Sequence, residues 1–196
     1  MNQIHPMAIV DPEAKLCDNN VIGPFCVIDK NVIIGDNNKL YNGVTLHYGT
    51  RLGNGNEIFP GASISTKPQD LKFKGEDTTC EIGDNNSIRE NVTISRGTAS
   101  KGKTVVGNGN LLMEDMHIGH DCEIGNGCII GNSTKLAGEV IVDDFTIIYA
   151  FCLFHQFIHI VSYIMLQGGS STSQNIPPSV IAGKTAVRYA GDNMHG

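Results

Sequence analysis

The stretch that decides the fold is residues 104–166, which read TVVGNGNLLMEDMHIGHDCEIGNGCIIGNSTKLAGEVIVDDFTIIYAFCLFHQFIHIVSYIML. Every sixth residue in it is Ile, Leu, Val or Phe, from Val106 to Leu166. An amphipathic helix needs apolar residues three and four apart, and a half-buried strand needs strict alternation. A period of six fits neither pattern. It is typical of short strands joined by tight turns, with one large inward residue on each strand.

The same phase begins at Ile4, and 25 of the 28 positions from 4 to 166 hold Ile, Leu, Val or Phe. The exceptions are Asp70, Glu76 and Ser100. Repeats of this hexapeptide kind indicate an all-β, parallel β-helix. Three six-residue faces make a coil of about 18 residues, so residues 4–166 should form about nine coils.

Small residues recur two positions before the large aliphatic residue. Residues i and i+2 of a strand share a face, so these should also point inward. Five cysteines hold such positions, and we expect them to be buried free thiols rather than disulfides or metal ligands: Cys26, Cys80, Cys122, Cys128 and Cys152.

Composition excludes several classes of protein. The formal net charge is −6 and the pI is about 5.6, so no nucleic-acid partner is indicated. The start of the chain has no basic segment followed by an apolar one, so we predict no secretion signal. Residues 147–166 are strongly apolar but contain His155, Gln156 and His159, which disfavours a membrane span.

Two interruptions of the repeat predict loops that leave the helix. Residues 65–81 read STKPQDLKFKGEDTTCE, and residues 95–105 read SRGTASKGKTV. Loops on a rigid scaffold often carry function.

The 18-residue period also predicts a site. His120, Gly138 and Gln156 are 18 residues apart and should stack in one column, neighbours ~4.8 Å apart. Histidine can act as a general base near neutral pH. A glycine N–H can stabilise an oxyanion, and Asp121 could orient the histidine. Corner residues without a function are the alternative for such a column.

The hexapeptide pattern resembles that of the left-handed β-helix acyltransferases, and left-handedness is implied by that resemblance alone. Four motifs carry a closer one: NLLMEDMHIGHDCEIGN (110–126), KLAGEVIVDDF (135–145), FHQF (154–157) and QNIPPSVIAG (174–183). Together with PQDLKFKGE and IRENVTISRGT earlier in the chain, they resemble the UDP-N-acetylglucosamine acyltransferase family of lipid A biosynthesis.

That resemblance implies transfer of a 3-hydroxyacyl group from acyl carrier protein to the 3-hydroxyl of UDP-N-acetylglucosamine. It implies a homotrimer in the bacterial cytoplasm, with sites between subunits, no cofactor, no metal and direct transfer without a covalent enzyme intermediate. Because acyl carrier protein is acidic, Arg96, Lys101 and Lys103 are candidates for docking it.

The resemblance also implies residue roles. His120 would be the general base, Asp121 its orienting partner and Gly138 the oxyanion donor. Gly168 would be the acyl-chain ruler. The substrate-binding positions implied are Asp70, Lys72, His117, Glu139, His155, Gln156 and Asn193.

The chain departs from the family pattern at Glu139 and Ser95, where relatives usually have histidine. We expect residues 1–182 to form the β-helix domain and residues 183–196 to begin a C-terminal region that is truncated. Two alternatives stay open: another hexapeptide acyl- or acetyltransferase, including the amide-forming lipid A enzyme, and an inactive truncated prism. A zinc-dependent hydratase on the same prism would need three converging histidines, which the His120 column does not supply.

Overall fold

The computed structural model describes residues 1–177 and 181–182, and these contain strands and turns but no helix, so none that could span a membrane. The strands in the described part of the chain are β1 Gln3–Ile4, β2 Ile9–Val10, β3 Lys15–Leu16, β4 Val21–Ile22, β5 Val27–Ile28, β6 Ile33–Ile34, β7 Lys39–Leu40, β8 Thr45–Leu46, β9 Thr50–Leu52, β10 Glu57–Ile58, β11 Ser63–Thr66, β12 Thr79–Ile82, β13 Ser87–Ile88, β14 Thr93–Ser95, β15 Lys103–Val106, β16 Leu111–Leu112, β17 His117–Ile118, β18 Glu123–Ile124, β19 Ile129–Ile130, β20 Lys135–Leu136, β21 Ile141–Val142, β22 Ile147–Ile148, β23 Leu153–Phe154, β24 His159–Ile160, β25 Met165–Leu166, β26 Ser171–Thr172 and β27 Ile181–Ala182.

The strands form the three faces of a left-handed parallel β-helix. From β1 to β23 each strand pairs in parallel with the strand three places further along the chain, and β25 pairs with β27. The first sheet runs from β1 to β27, the second from β2 to β26 and the third from β3 to β24. Ile118 of β17 pairs with Leu136 of β20, which pairs with Phe154 of β23. The predicted 18-residue register is therefore confirmed.

Both predicted loops leave the prism, although each is shorter than the interruption in the repeat. Strand β11 ends at Thr66 and strand β12 begins at Thr79, so the first loop is residues 67–78. Strands β14 and β15 leave only residues 96–102 as the second loop. The residues next to each insertion keep their hydrogen bonds to neighbouring strands. Each loop is therefore shorter than the stretch over which the sequence repeat is interrupted.

The inward residues form one continuous core. The repeat residues from Ile22 to Leu166 are buried, apart from the three polar exceptions, and so are the five inward cysteines. Ile4 is 46% exposed, and Val10 and Leu16 are only partly buried. The reason is that the first coil is covered by a neighbouring coil on one side only.

The corners of the prism depend on left-handed backbone conformations. In most coils a residue with φ near +60° occurs every six positions. Asn, Asp and Gly supply many of them, as expected from their tolerance of positive φ. Phe145, Phe151, Phe157 and Tyr163 also adopt it, and their side chains are 45–67% exposed. Bulky side chains are uncommon in this region.

A ladder of buried asparagines runs inside one corner. The side-chain oxygens of Asn20, Asn38, Asn56 and Asn86 each accept a hydrogen bond from the backbone N–H of the next member, at 2.8–2.9 Å, and Asn110 is the last member. Each amide nitrogen donates to a glycine carbonyl, as Asn56 Nδ2 does to Gly83 O at 2.9 Å. The ladder therefore satisfies polar groups that the prism would otherwise bury unpaired.

Replacing Asn56 by Ala should lower the free energy of unfolding by about 2–4 kcal/mol. The change leaves Gly83 O and the Asn86 N–H without their partner inside the prism and removes one of the two hydrogen bonds to the Asn38 oxygen. Each unpaired buried group costs about 1–3 kcal/mol before relaxation. Chemical denaturation followed by circular dichroism measures the effect. Asn42→Ala, at an exposed corner, is the matched control, and equal stability of the two variants would contradict the role of the ladder.

Candidate active site

The column predicted from the 18-residue spacing is present at one corner of the prism. His120, Gly138 and Gln156 each follow a strand of the second sheet, after β17, β20 and β23. A Cβ atom added to Gly138 would lie 2.5 Å from Cε1 and Nε2 of His120. The imidazole therefore packs directly on the glycine, and a residue with a side chain at 138 would displace it.

Asp121 holds the histidine from behind. Its carboxylate is fully buried, and Oδ2 lies 2.8 Å from His120 Nδ1. Thr98 donates to it through its backbone N–H at 2.9 Å and its hydroxyl at 2.6 Å, and the Lys101 N–H donates at 3.2 Å. Burial alone would raise the pKa of Asp121, but these hydrogen bonds outweigh burial and hold the pKa below its ordinary value.

The second loop supplies most of that support. Residues 96–102 fold back over Asp121, and the Asp121 N–H is bonded to Thr104 Oγ1 at 2.8 Å. The Thr98 and Thr104 contacts were not predicted from the sequence. Thr98 lies 23 residues before Asp121 because the insertion between them disturbs the 18-residue period. Thr104 lies 17 residues before Asp121, one residue off that period, with no insertion between them.

His120 opens into a cleft of about 440 Å³ between this corner and the first loop. The predicted residues that it brings together are Asp70, Lys72, His117, His120, Gly138 and Gln156. The lining residues that sequence reasoning missed are Gln69, Leu71, Ser95, Gly119 and Ala137. Ser95 was noted only as a departure from the family pattern. Leu71 is fully exposed at the tip of the first loop.

His117 lies on the same face, one strand position before the corner. Its Nδ1 atom is 2.7 Å from the Thr93 hydroxyl, which fixes the orientation of the ring. Burial lowers the pKa of His117, and the positive charges of Lys135 and His120 lower it further. The lowered pKa favours the neutral form of His117.

Glu139 and His155, which are also predicted for the site, do not line this cleft. Glu139 accepts a hydrogen bond from Ser100 Oγ at 3.1 Å and so ties the second loop to the corner. His155 is exposed and does not line the cleft. Asn193 lies outside the described residues. Their substrate-binding roles stay predictions.

Gly168 lies on a different corner, after the strands of the first sheet. It lines a mostly apolar groove of about 710 Å³ together with Tyr149, Ala150, Phe151 and Met165. A Cβ at position 168 would be 3.1 Å from the Ala150 carbonyl oxygen and 3.6 Å from Tyr149 Cβ. The groove therefore owes part of its depth to the missing side chain.

The basic residues of the second loop are largely engaged within the chain. Lys101 pairs with Glu123 at 2.8 Å, and Lys103 pairs with Glu81 at 2.9 Å. The Arg96 guanidinium faces two aromatic rings instead of a carboxylate. Two of the three candidate docking cations are thus paired with acidic neighbours.

The thiol nearest the cleft is not available as a nucleophile. Cys122 points into the core, and burial raises its pKa to about 12. Within residues 1–177 no group of three His, Cys, Asp or Glu side chains is placed to hold a metal ion. The chemistry of the cleft therefore depends on its histidines, its carboxylates and the backbone.

Comparison with known proteins agrees with the fold and its repeats. The family model for the bacterial transferase hexapeptide (six repeats) matches residues 13–48 and 103–138. The fold and the repeats define the chain as a hexapeptide-repeat transferase.

Curated relatives narrow the class. An acyl-[acyl-carrier-protein]–UDP-N-acetylglucosamine O-acyltransferase from Aliarcobacter butzleri is 46% identical over 100% of this chain and 76% of the relative. The enzyme of the same name from Burkholderia mallei is 49% identical over 100% of this chain and 75% of its own. The chain belongs to this family of acyltransferases and spans about three-quarters of the length of these relatives.

Solved structures agree. A UDP-N-acetylglucosamine acyltransferase from Bacteroides fragilis matches with a TM-score of 0.97 and 59% identity, over 98% of this chain and 75% of that one. The enzyme from Acinetobacter baumannii matches with a TM-score of 0.94 and 40% identity, over 97% and 74% of the two chains.

Replacing His117 by Gln should change how stability depends on pH. Because the pKa of His117 lies below its ordinary value of 6.5, the unfolded chain binds a proton there more readily than the folded one. The contribution of His117 to stability is therefore full above pH 6.5 and is lost as the pH falls through its folded value. In thermal unfolding from about pH 5 to 8, the Tm of the wild type should fall relative to that of His117→Gln as the pH becomes acidic.

His155→Gln is the matched control, because that histidine is exposed. A difference in Tm between wild type and His117→Gln that is the same at every pH would contradict the shifted pKa.

Proposed function

We propose that this chain transfers a 3-hydroxyacyl group from acyl carrier protein to the 3-hydroxyl of UDP-N-acetylglucosamine, with residues 1–182 as the catalytic domain. The relatives that the chain matches over its full length carry both substrates in their names. The observation that carries the proposal is the packing of His120 on Gly138, with Asp121 buried behind it, at the side of an open cleft. The family resemblance implies a cytoplasmic location, and we propose the same for this chain.

His120 is the general base of this mechanism. The ionised Asp121 can only accept a hydrogen bond, so the proton of the neutral imidazole sits on Nδ1 and the lone pair on Nε2. Nε2 lies against Gly138 at the cleft. It takes the proton of the sugar hydroxyl as the hydroxyl oxygen attacks the carbonyl carbon of the thioester.

Gly138 would stabilise the negative charge that develops on the carbonyl oxygen. Within the described residues, its N–H has no hydrogen-bond acceptor, so it is available to this oxygen. A donor placed in this way is worth roughly 3–4 kcal/mol of transition-state stabilisation. When the tetrahedral intermediate collapses, the C–S bond breaks, and the carrier thiolate takes the proton from the His120 imidazolium. An ester and a free thiol result.

Transfer is direct in this scheme. A covalent route would need a thiolate or an activated hydroxyl in the cleft, and Cys122 is buried with a pKa raised to about 12. Ser95 lines the cleft with its hydroxyl group. That hydroxyl is hydrogen-bonded to the Thr66 hydroxyl at 3.2 Å, which is not a base that could activate it. Attack by the sugar oxygen itself fits these groups best.

The first loop would hold the nucleotide sugar. Asp70 and Lys72 line the cleft opposite His120, where they offer an acceptor for sugar hydroxyls and a cation for phosphate. Gln156 extends the column below Gly138. His117 also lines the cleft. Glu139, His155 and Asn193 complete the proposed binding set, with Asn193 outside the described residues.

The acyl chain would lie in the groove beside Gly168. In one chain, this groove and the His120 cleft lie on different corners, separated by the second face of the prism. They can serve one substrate if the cleft of one subunit faces the groove of its neighbour. That arrangement supports the homotrimer with sites between subunits that the family resemblance implies.

Replacing His120 by Ala should reduce acyl transfer by about 10²–10⁴-fold, because the base is removed. Gly138→Ala should reduce it by at least about 10²-fold, because the new methyl group displaces the imidazole that positions the proton transfer. Transfer of radiolabelled 3-hydroxyacyl groups from carrier protein to UDP-N-acetylglucosamine measures both.

The matched control is His159→Ala, since His159 pairs with Asp143 at 2.9 Å on the third sheet, away from the cleft. It should retain activity. Undiminished turnover by His120→Ala would refute the mechanism.

Replacing Gly168 by Met should shift the preferred acyl donor towards shorter chains. The new side chain would fill the groove beside Tyr149 and Ala150, so longer tails would lose their space. Competition between carrier proteins loaded with acyl groups of different lengths reads out the preference. Asn42→Met, at an exposed corner of an early coil, is the control, and an unchanged preference in Gly168→Met would contradict the assignment.

A further inference from the structure

Arg96 makes an unusual set of contacts for a partly buried arginine. Its guanidinium carbon lies 5.2 Å from the centre of the Phe73 ring and 6.0 Å from that of Tyr48. Its Nε atom is buried and has no hydrogen-bond partner within the described residues. The guanidinium therefore contacts the faces of two aromatic rings, which attract a cation through the ring quadrupole.

These contacts join the two loops of the prism. Arg96 begins the second loop, and Phe73 belongs to the first. The backbone already fastens the base of the first loop to the same segment, since Arg96 N donates to Thr66 O at 3.0 Å and Thr78 Oγ1 donates to Gly97 O at 2.6 Å. Tyr48, beneath the guanidinium, donates from its hydroxyl to Asp77 at 3.0 Å.

The tip of the first loop has little other support. Asp70 accepts hydrogen bonds from Lys72 N at 2.8 Å and Phe73 N at 3.0 Å, so residues 70–73 form one tight turn. Leu71 and Lys72 are exposed, and both bonds are internal to the turn. Pro68, before the turn, is buried, and within the turn Phe73 is the residue with a side-chain contact to the second loop.

We propose that Arg96 is a positioning residue, whose guanidinium over Phe73 and Tyr48 holds the 69–73 turn against the catalytic corner. It would thereby fix Asp70 and Lys72 for the sugar nucleotide. This inference rests on the proposed function, because those two residues are its nucleotide-binding side. The Arg96 contact determines how much of the population has a complete cleft, and apparent affinity falls in proportion to that fraction.

The test compares Arg96→Gln, Phe73→Leu and the double variant with the wild type. Hydrogen exchange of the amides of residues 69–74, followed by mass spectrometry, should become about tenfold faster in each single variant. The KM for UDP-N-acetylglucosamine should rise, by up to about tenfold, while kcat and the KM for acyl carrier protein stay within about twofold. The double variant should be no worse than either single one, because both remove the same contact.

The matched control is Arg89→Gln. Arg89 also places its guanidinium over an aromatic ring, 4.4 Å from Phe59, but on a corner after the first sheet. Exchange at residues 69–74 should be unchanged there. Arg96→Lys keeps the charge without the planar fork and should give an intermediate effect, which separates loss of the contact from misfolding.

Three results would overturn the proposal: unchanged exchange of residues 69–74 in Arg96→Gln, multiplicative effects in the double variant, or faster exchange with an unchanged nucleotide-sugar KM. Failure of the proposed function is distinguishable from all three. In that case the wild type would not acylate UDP-N-acetylglucosamine, while the exchange measurement would still show whether Arg96 holds the turn.

Discussion

The prism depends on a corner that L-amino acids adopt reluctantly. The width of each face equals the length of one short strand, so the chain must turn every six residues. In most coils it turns through a residue with φ near +60°. That conformation costs roughly 1–2 kcal/mol for a residue with a Cβ atom. Asn, Asp and Gly reduce the cost, and the ladder hydrogen bonds and core burial of every coil offset the remainder. Asp121 is itself such a corner residue, so the turn that builds the scaffold also places the carboxylate behind His120.

Most of this fold could be predicted, because a period of six leaves few alternatives. The inward aliphatic residues, the buried cysteines and the two loops follow from the repeat. The handedness came from family resemblance rather than from physics. The asparagine ladder was not predicted, since Asn20 and its equivalents occupy inward positions where a small apolar residue is expected. Nor were the exposed aromatic corners such as Phe151, because local propensity argues against a bulky residue at positive φ.

The candidate site divides in the same way. His120, Gly138 and Gln156 were predictable as a column, because they lie in coils without insertions, where sequence spacing equals one turn of the prism. Several contacts that support the site cross the insertions, and there the sequence spacing no longer equals one turn of the prism. Thr93 supports His117 across 24 residues, and Thr98 supports Asp121 across 23. The Arg96–Phe73 contact joins two loops that have no periodic relation. Contacts of this kind are visible only in the three-dimensional structure.

The asparagine ladder has a direction and an end. After Asn110 its inward column continues with Cys128, Thr146 and Ile164. The Cys128 thiol and the Thr146 hydroxyl still donate to the next coil, to Asp143 O at 3.2 Å and Val161 O at 3.3 Å, but they do not continue the row of backbone N–H bonds accepted by side-chain amide oxygens. In this column, coils before this point are joined by buried amides that both donate and accept, whereas later coils have a single thiol or hydroxyl donor or none. In a solenoid, where each coil touches only its neighbours, local opening follows the weakest junctions. The later coils should thus fray first, and His120 stands close to the boundary between the clamped coils and the looser ones.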